Sequence, residues 1–585
     1  RKYKNCSPNS QMVKINELSI RIILFITLTV FFCNLVSFSF NKGNKMDTFQ
    51  ISGNVIDLIS EKIFPATVYI ENGKISKIEK NRKTYKNYIL PGFVDSHVHI
   101  ESSMLPPSEF ARLASIHGTV ATVSDPHEIA NVMGLEGIEF MIENSKTVPF
   151  KIYFGAPSCV PATDFESSGA KIGISELDTL FNEYNLKFLS EMMNFPGVLF
   201  EFPEVMEKIN LAKKLNKPID GHAPGLKGKD AKKYVSAGIS TDHECYSLEE
   251  AIDKIKSGMK VLIREGSAAK NFETLAPLIE EFPEMCMFCT DDAHPDHLTE
   301  MHIRDVVLRA FDLGYDVMNV LKIASLNPIR HYNLDVGLLQ VGDPADFIVI
   351  NNFQEFKITH TYVNGVLIAE NGSTKIPHQK VTPINNFKAK PKLPEDFVLT
   401  PKNKTLQIIQ PIDGELITEK VEYTPKIQNS DVQTSFQDDV LKITVVNRYQ
   451  DRKPAVALIK GFGLRKGALA TSVGHDSHNI IAVGVDNHSI SIAVNEVIKS
   501  QGGMVVFDGK TPKALPLPIA GLMANDDAWE VARKYLQIQD AAKKLGCPFV
   551  APFMTLSFMA LLVIPKIKLS DKGLFDGESF KFIEQ

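Results

Sequence analysis

Two histidines, His97 and His99, stand two residues apart at the end of the apolar run in "LPGFVDSHVHIESS", and Glu101 follows two residues later. A β-strand sends alternate side chains to one face, so the three share a side for as long as the chain stays extended. The same arrangement, a polar residue just after an apolar run, recurs at Glu191 after "LKFLS", His222 after "KPIDG", His243 after "GISTD" and Asp291 after "MCMFCT". Imidazole nitrogens and carboxylate oxygens are the donors that divalent first-row metals take. Three or four histidines with one or two carboxylates, carried to one place by successive strands, would hold one or two such ions. Singly, each has a plainer explanation: a hydrogen-bonded histidine, a solvated carboxylate, a helix N-cap at Asp291. Their joint recurrence favours a metal site.

The elements that must do the carrying can be read from the same stretch. From residue 91 to 334, strand-like segments ("GTVATVSD", "FKIYFGA", "KPIDGHA", "AGISTDH", "MCMFCTDD") alternate with amphipathic ones. That alternation predicts an α/β fold, a (β/α)8 TIM-like barrel, whose functional groups sit at the C-terminal ends of its strands. Two β-rich patches flank it, at 46–90 and 335–375, and are expected to pair into one small β-domain. A Pro- and Lys-rich stretch, 376–404, reads as a linker. Residues 405–585, with strands such as "LKITVVN" and "NIIAVGV" and the helical "DDAWEVARKYLQIQDAAKKLG", read as a separate C-terminal α+β domain.

At 585 residues, 44% hydrophobic and 23% charged, the chain has ordinary globular composition and enough length for several cores. Its formal charge of −5 provides no cationic field for a phosphate backbone, so nucleic acid is not an expected partner. Seven scattered cysteines do not make a disulfide scaffold, and they suit a reducing, cytoplasmic setting. The uncharged stretch Ile22–Phe40, with Lys14 and Arg21 before it and Lys42 and Lys45 after it, reads as a signal peptide or a membrane anchor. Against that, Met46 is followed at once by the strand-like "FQISGNVIDL", so residues 1–45 also read as an extension upstream of the native start. Membrane attachment or export is expected only if residues 22–40 are genuine and retained. Self-association as a homo-oligomer stays open.

The run "LPGFVDSHVHIESS", together with "SDPHEIANV", "EMMNFPGV", "DGHAPGL", "STDHE", "CTDDAHPD", "GFGLRKGALATSVGHDSHNII" and "LPLPIAGLM", resembles the adenine deaminases of the amidohydrolase superfamily. His-x-His after a strand is superfamily evidence only, whereas the Glu-Met-Met-Asn-Phe-Pro-Gly and His-Asp-Ser-His blocks are more specific. The likeness runs from about Met46 almost to the C-terminus and leaves residues 1–45 without a counterpart. It implies hydrolysis of adenine to hypoxanthine and ammonia, in purine salvage, at a two-metal centre of manganese or iron. His97 and His99 match the first ligand pair, His222 and His243 the second, and Asp291 the aspartate after the last barrel strand. Asp292, its neighbour, is the alternative ligand. Glu191 takes the bridging place that a carbamylated lysine fills in many relatives.

In this scheme Asp291 moves the proton of the attacking water and returns it to ammonia, and Glu101 is nominated to protonate or hold a ring nitrogen. The block His475, Asp476, Ser477, His478, which by itself reads as a surface turn, is expected to close over the barrel mouth. A cytidine-type zinc deaminase would use His-x-Glu with Pro-Cys-x-x-Cys. Here His99-Ile100-Glu101 and Cys286-Met287-Phe288-Cys289 lie far apart in the chain and the proline is absent, so the two cysteines read as core residues. Two other functions remain open: a binuclear amidohydrolase opening a cyclic amide, and a membrane-anchored module with a purely structural metal.

Overall fold

The computed structural model describes residues 48–267 and 269–585. The segment Ile22–Phe40 and the extension 1–45 lie outside the described residues. Among the described residues, no helix is long and apolar enough to cross a membrane.

Strands β1 (Phe49–Asp57), β2 (Lys62–Glu71), β3 (Lys74–Lys80) and β4 (Tyr88–Pro91) lead into the barrel. The barrel strands are β5 (Phe93–Val98), β6 (Thr119–Ser124), β7 (Lys151–Phe154), β8 (Leu189–Met192), β9 (Ile219–Gly221), β10 (Thr241–Asp242), β11 (Lys260–Arg264) and β12 (Cys286–Cys289). Helices fill most of the connections, and the paired strands run parallel: β5 to β6 to β7, β8 to β9, and β10 to β11 to β12. A bridge between Ala156 and Leu189 carries the ring from β7 to β8, and one between Val98 and Asp291 closes it. Ser240 N–H donates to the Ile219 carbonyl at 2.8 Å and ties β9 to β10. Parallel strands covered on both faces must be apolar nearly throughout, and β5, β6 and β12 are buried along their whole length. Cys286 and Cys289 are free thiols buried in β12, inside the core as the sequence suggests.

After the barrel come β13 (Phe347–Ile350), β14 (Ile358–Val363), β15 (Val366–Glu370) and β16 (Ser373–Thr374). They join the first four strands in one sheet, ordered β16-β15-β14-β13-β4-β1-β2-β3, so chain from both sides of the barrel shares a ladder.

The C-terminal region is built on a second eight-stranded sheet. At its centre the strands Val440–Val446, Ile480–Gly484, Ala468–Thr471 and Gly503–Phe507 pair antiparallel. Alternation splits its side chains between two cores. Ala470, Ala482 and Val505 meet Ile490, Val494 and Val497 of the helix Asn487–Lys499. Leu469, Ile481 and Val483 belong instead to the apolar cluster that includes barrel residues such as Val98 and Ile129. The stretch 376–404 is fastened along its course rather than hanging free. Arg112 Nε donates to the Ile376 carbonyl at 3.1 Å, Asn386 Nδ2 to the Val132 carbonyl at 3.1 Å, and Lys388 N–H to the Arg448 carbonyl at 2.7 Å.

Candidate active site

The residues singled out by their position after apolar runs converge at the C-terminal ends of the barrel strands. His97 lies on β5 and His99 follows it; Glu191 is on β8; His222 follows β9, His243 follows β10, and Asp291 lies two residues past β12. Each position has a local cause. His222 leaves β9 through Gly221, where a Cβ would stand 2.4 Å from the Thr241 carbonyl oxygen, so only glycine lets the two strands approach. Asp291 adopts φ +57°, a left-handed conformation that aspartate tolerates better than most residues. It is pinned there by β5 from both sides: Asp291 N–H donates to the His97 carbonyl at 2.9 Å, and His99 N–H to the Asp291 carbonyl at 3.1 Å.

The ligand atoms crowd together. His99 Nε2 lies 3.2 Å from His97 Nε2, from Asp291 Oδ1 and from Glu191 Oε1. His99 Nδ1 donates to the Asp125 carbonyl at 3.1 Å, and since a carbonyl can only accept, Nε2 is the nitrogen left to take a metal when the ring is neutral. The Glu191 carboxylate straddles the cluster. Oε1 faces His99 at 3.2 Å and His127 at 3.4 Å, whereas Oε2 faces His222 at 2.8 Å and His243 at 3.4 Å. Burial opposes ionisation of Glu191, yet hydrogen bonds from His222 and His99 hold its carboxyl well below the usual range. Converging lone pairs around a buried anion suit divalent cations, and three triads among these groups (His97, His99, Asp291; His97, Glu191, His243; His222, His243, Glu244) have donor atoms close enough to share an ion. No lysine is among the described residues lining the cavity.

Asp291 and Asp292 separate clearly. Asp291 turns Oδ1 to the two histidines and takes the Arg264 guanidinium on Oδ2 at 2.6 Å. Asp292 Oδ1 instead accepts from the Ser102 hydroxyl at 2.5 Å.

Glu101 departs from expectation. The chain stops being extended after His99 and enters a 3-10 turn, Ile100–Ser103, which swings Glu101 off the face it would share with the histidines. Its Oε1 accepts from Ile129 N–H at 3.1 Å, at the start of the helix His127–Met133, and the residue does not line the cavity. Burial pushes its carboxyl up to about 7.

Beside Glu244, four neighbours of these groups were not expected from the sequence. Asp125, His127 and Glu128 follow β6 in "SDPHE", and Arg264 ends β11. The first three obey the same rule as the ligands, polar residues after an apolar run, and could have been found by it; a lone arginine closing "KVLIR" carries no such signal. His127 Nδ1 is 3.0 Å from Asp125 Oδ2, and Arg264 holds Glu244 Oε1 at 2.5 Å.

Glu128 links the barrel to the C-terminal sheet. Its Oε1 lies 2.8 Å from His475 Nδ1, and its Oε2 meets His478 Nε2. Burial again opposes ionisation, but His475 and His478 hold its carboxyl well below the usual range. His475 and Asp476 line the cavity, whereas Ser477 and His478 lie behind it; the Ser477 carbonyl accepts from Tyr449 Oη at 2.6 Å. The cavity is also lined by apolar side chains, Leu416, Phe558, Leu561, Val563 and Ile564, all from the C-terminal region. The cavity thus combines polar groups that suit cations with apolar ones that suit a flat, largely apolar ring.

Known proteins share this arrangement in sequence. Residues 88–368 match the amidohydrolase family, and residues 415–581 match the adenine deaminase C-terminal domain. Adenine deaminase of Sulfurovum sp. (strain NBC37-1) is 53% identical over 536 residues, covering 92% of this chain and 99% of that protein. Adenine deaminase of Salinibacter ruber is 50% identical over 540 residues, with 92% and 99% covered. Among solved structures, N-acetylglucosamine-6-phosphate deacetylase from Thermotoga maritima is 15% identical and spans 55% of this chain and 100% of its own, with a TM-score of 0.43.

Proposed function

This chain belongs to the adenine deaminase family of metal-dependent amidohydrolases, and on that premise we propose how its own residues divide the work of hydrolysing adenine to hypoxanthine and ammonia. The observation that carries the assignment is the orientation of Glu191, one oxygen toward His99 and the other toward His222 and His243. Two divalent ions would be held by His97, His99, Asp291, His222 and His243, with Glu191 as the residue suited to bridge them. Manganese or iron is our assignment for both ions.

When bound, the ion pair supplies hydroxide at neutral pH by lowering the pKa of water. Asp291 Oδ1 takes the proton released and returns it to the departing ammonia, while Arg264 keeps Oδ2 anchored. The product carries a new proton on ring nitrogen N1. Glu101 was the expected source but does not line the cavity; Glu128 does, and it is paired with a histidine that can supply a proton. Glu128 takes the Nδ1 proton of His475 across 2.8 Å and passes it to N1; the hydroxyl left on C6 later restores it. The apolar wall from Leu416 to Ile564 excludes water from the ring face. We place the enzyme in purine salvage in the cytoplasm, where its five described cysteines, all buried and free, stay reduced.

The test is ammonia release from adenine, adenosine and cytosine, beside ring opening of dihydroorotate, by protein carrying two manganese or iron ions per chain. Hypoxanthine formation from adenine is expected. A doubly loaded protein that spares adenine and opens dihydroorotate would overturn the proposal in favour of a cyclic-amide hydrolase.

A further inference from the structure

Lys568 is fully buried in the C-terminal region, and among the described residues it pairs with no carboxylate. It sits in the strand Ile567–Ser570, where Ile567 and Leu569 belong to the large apolar core and alternation turns Lys568 to the other side. There its side-chain nitrogen donates to two backbone carbonyls, that of Leu416 at 2.5 Å and that of Phe558 at 2.9 Å. Burial pushes the amine down to about 7. A methionine would fill the same space as far as its last carbon without desolvating an amine, so packing alone does not call for the nitrogen.

What the nitrogen touches does. Leu416 and Phe558 both line the cavity, and the other apolar lining residues of this region, Leu561, Val563 and Ile564, follow Phe558 closely in the chain. Leu416 belongs to the connection 412–417 between the antiparallel strands Leu406–Pro411 and Thr418–Tyr423, in which Asp413, Gly414, Glu415 and Ile417 are exposed. Hydrogen bonds reach this loop from outside at Asp413, whose Oδ1 accepts from Val550 N–H at 3.2 Å, and at Leu416, through Lys568. Phe558 is better held: it ends the helix Pro552–Phe558, and its carbonyl also accepts from Leu561 N–H at 3.2 Å. One nitrogen therefore fastens an exposed loop to a helix end at the residue by which each enters the cavity. We propose that Lys568 is a positioning residue for ring binding, which holds the Leu416 side chain in the cavity by tying the Leu416 carbonyl to that of Phe558. The inference rests on the deamination reading, which names the ring. Losing the tie weakens contact with the ring equally in the ground state and the transition state, so KM rises and kcat stays.

Lys568→Met removes the donor and little else, whereas Lys568→Gln keeps two N–H groups on a shorter chain. In Lys568→Met, KM for adenine should rise roughly tenfold, the low end of what one methylene is worth in an apolar pocket, with kcat within about threefold and both metals retained. Lys568→Gln should fall between that variant and the wild type. Because Lys568 acts through Leu416, Leu416→Ala should raise KM by a similar factor alone but by less than about threefold when added to Lys568→Met. Additive effects, an unchanged KM, or a fall in kcat at constant KM overturns the proposal. A second measurement needs no turnover: cleavage after the exposed Glu415 by a glutamyl endopeptidase, without substrate, should be at least about fivefold faster in Lys568→Met, since proteolysis follows the population of the opened loop. A loop cut no faster than in the wild type overturns the proposal whatever the turnover. If Lys568→Met does not fold, Lys568→Gln takes its place in both measurements, with changes of the same sign expected. Wild-type protein that carries two metals and releases no ammonia from adenine refutes the deamination reading alone, and the cleavage rates then decide the proposal.

Discussion

Replacing Glu128 with glutamine probes the joint between the two halves of the site, because one buried carboxylate receives both His475 and His478 across it. Burial lowers the His475 imidazole, but the Glu128 charge, with smaller help from Asp292 and Asp476, outweighs it and lifts His475 from 6.5 to about 9, so the energy of that lift is an upper bound for Glu128. At roughly 1.4 kcal/mol per unit this is about 3 kcal/mol. Removing one partner of a buried ion pair costs about 3–5 kcal/mol, which agrees in size. The folded value exceeds the unfolded one, so the contribution is complete below pH 6.5 and is lost as pH rises through about 9. Glu128→Gln lacks the contribution at every pH. The gap between wild type and variant is therefore widest in mild acid and closes in alkali. The chain carries its own probe: Trp529, its single tryptophan, belongs to the C-terminal region and packs 5.1 Å from the guanidinium of barrel residue Arg112. Thermal melts followed by Trp529 emission, at matched scan rate and metal content, should show the variant lower by on the order of 5–10 °C at about pH 6, taking ~2–4 °C per kcal/mol for a unit of this size. At about pH 10 the difference should shrink below ~2 °C. In turnover, kcat/KM for adenine should fall by about 10²–10⁴-fold with two metals retained, since Glu128 is not a proposed ligand. An equal melting gap at both pH values, or wild-type turnover in the variant, refutes the reasoning.

Glu191→Gln keeps the shape of the bridge but removes the anion between the ions; elemental analysis should find one metal lost per chain, and ammonia release should drop by several orders of magnitude. Asp291→Asn should lose activity with smaller metal loss, because its work is proton transfer and Arg264 still orients it; full activity would remove it from the mechanism. Glu101→Gln retains an oxygen for Ile129 N–H, so kcat/KM for adenine should stay within threefold of wild type, and a collapse in rate would restore Glu101 as the proton donor.

The positions that converge were legible because a parallel barrel imposes a simple rule: the strand must be apolar, and the first residue free of that demand is the one at its C-terminal end. His97, His99, Glu191, His222, His243 and Asp291 all follow from it. Glu101 does not, because periodicity of two holds only while the backbone stays extended, and "IESS" offers a serine-rich turn that the chain takes. Glu128 and Arg264 illustrate two different limits. Glu128 obeys the rule and was simply outweighed by the stronger His-x-His signal, whereas Arg264 matters through its partners Glu244 and Asp291, which are distant in sequence. The same limit hides the pairing of Glu128 with His475 and His478, since no local pattern connects residues in separately folded sheets.

The division of labour between barrel and C-terminal sheet has a consequence for how the enzyme can vary. Every proposed metal ligand lies between β5 and the end of β12, so metal affinity is a property of the barrel. The apolar lining and the His475–Asp476 pair come from the C-terminal region, so on the proposed reading contacts to the ring depend on that region. Glu128 belongs to both, since it pairs with His475 and His478 of that region and is the proton carrier proposed above. Substitutions along Leu416, Phe558 and Ile564 should therefore move KM with metal content unchanged, and substitutions at His222 or His243 should do the reverse. Only at Glu128 and its histidine partners should stability, ring recognition and turnover change together, because there a single buried anion serves all three.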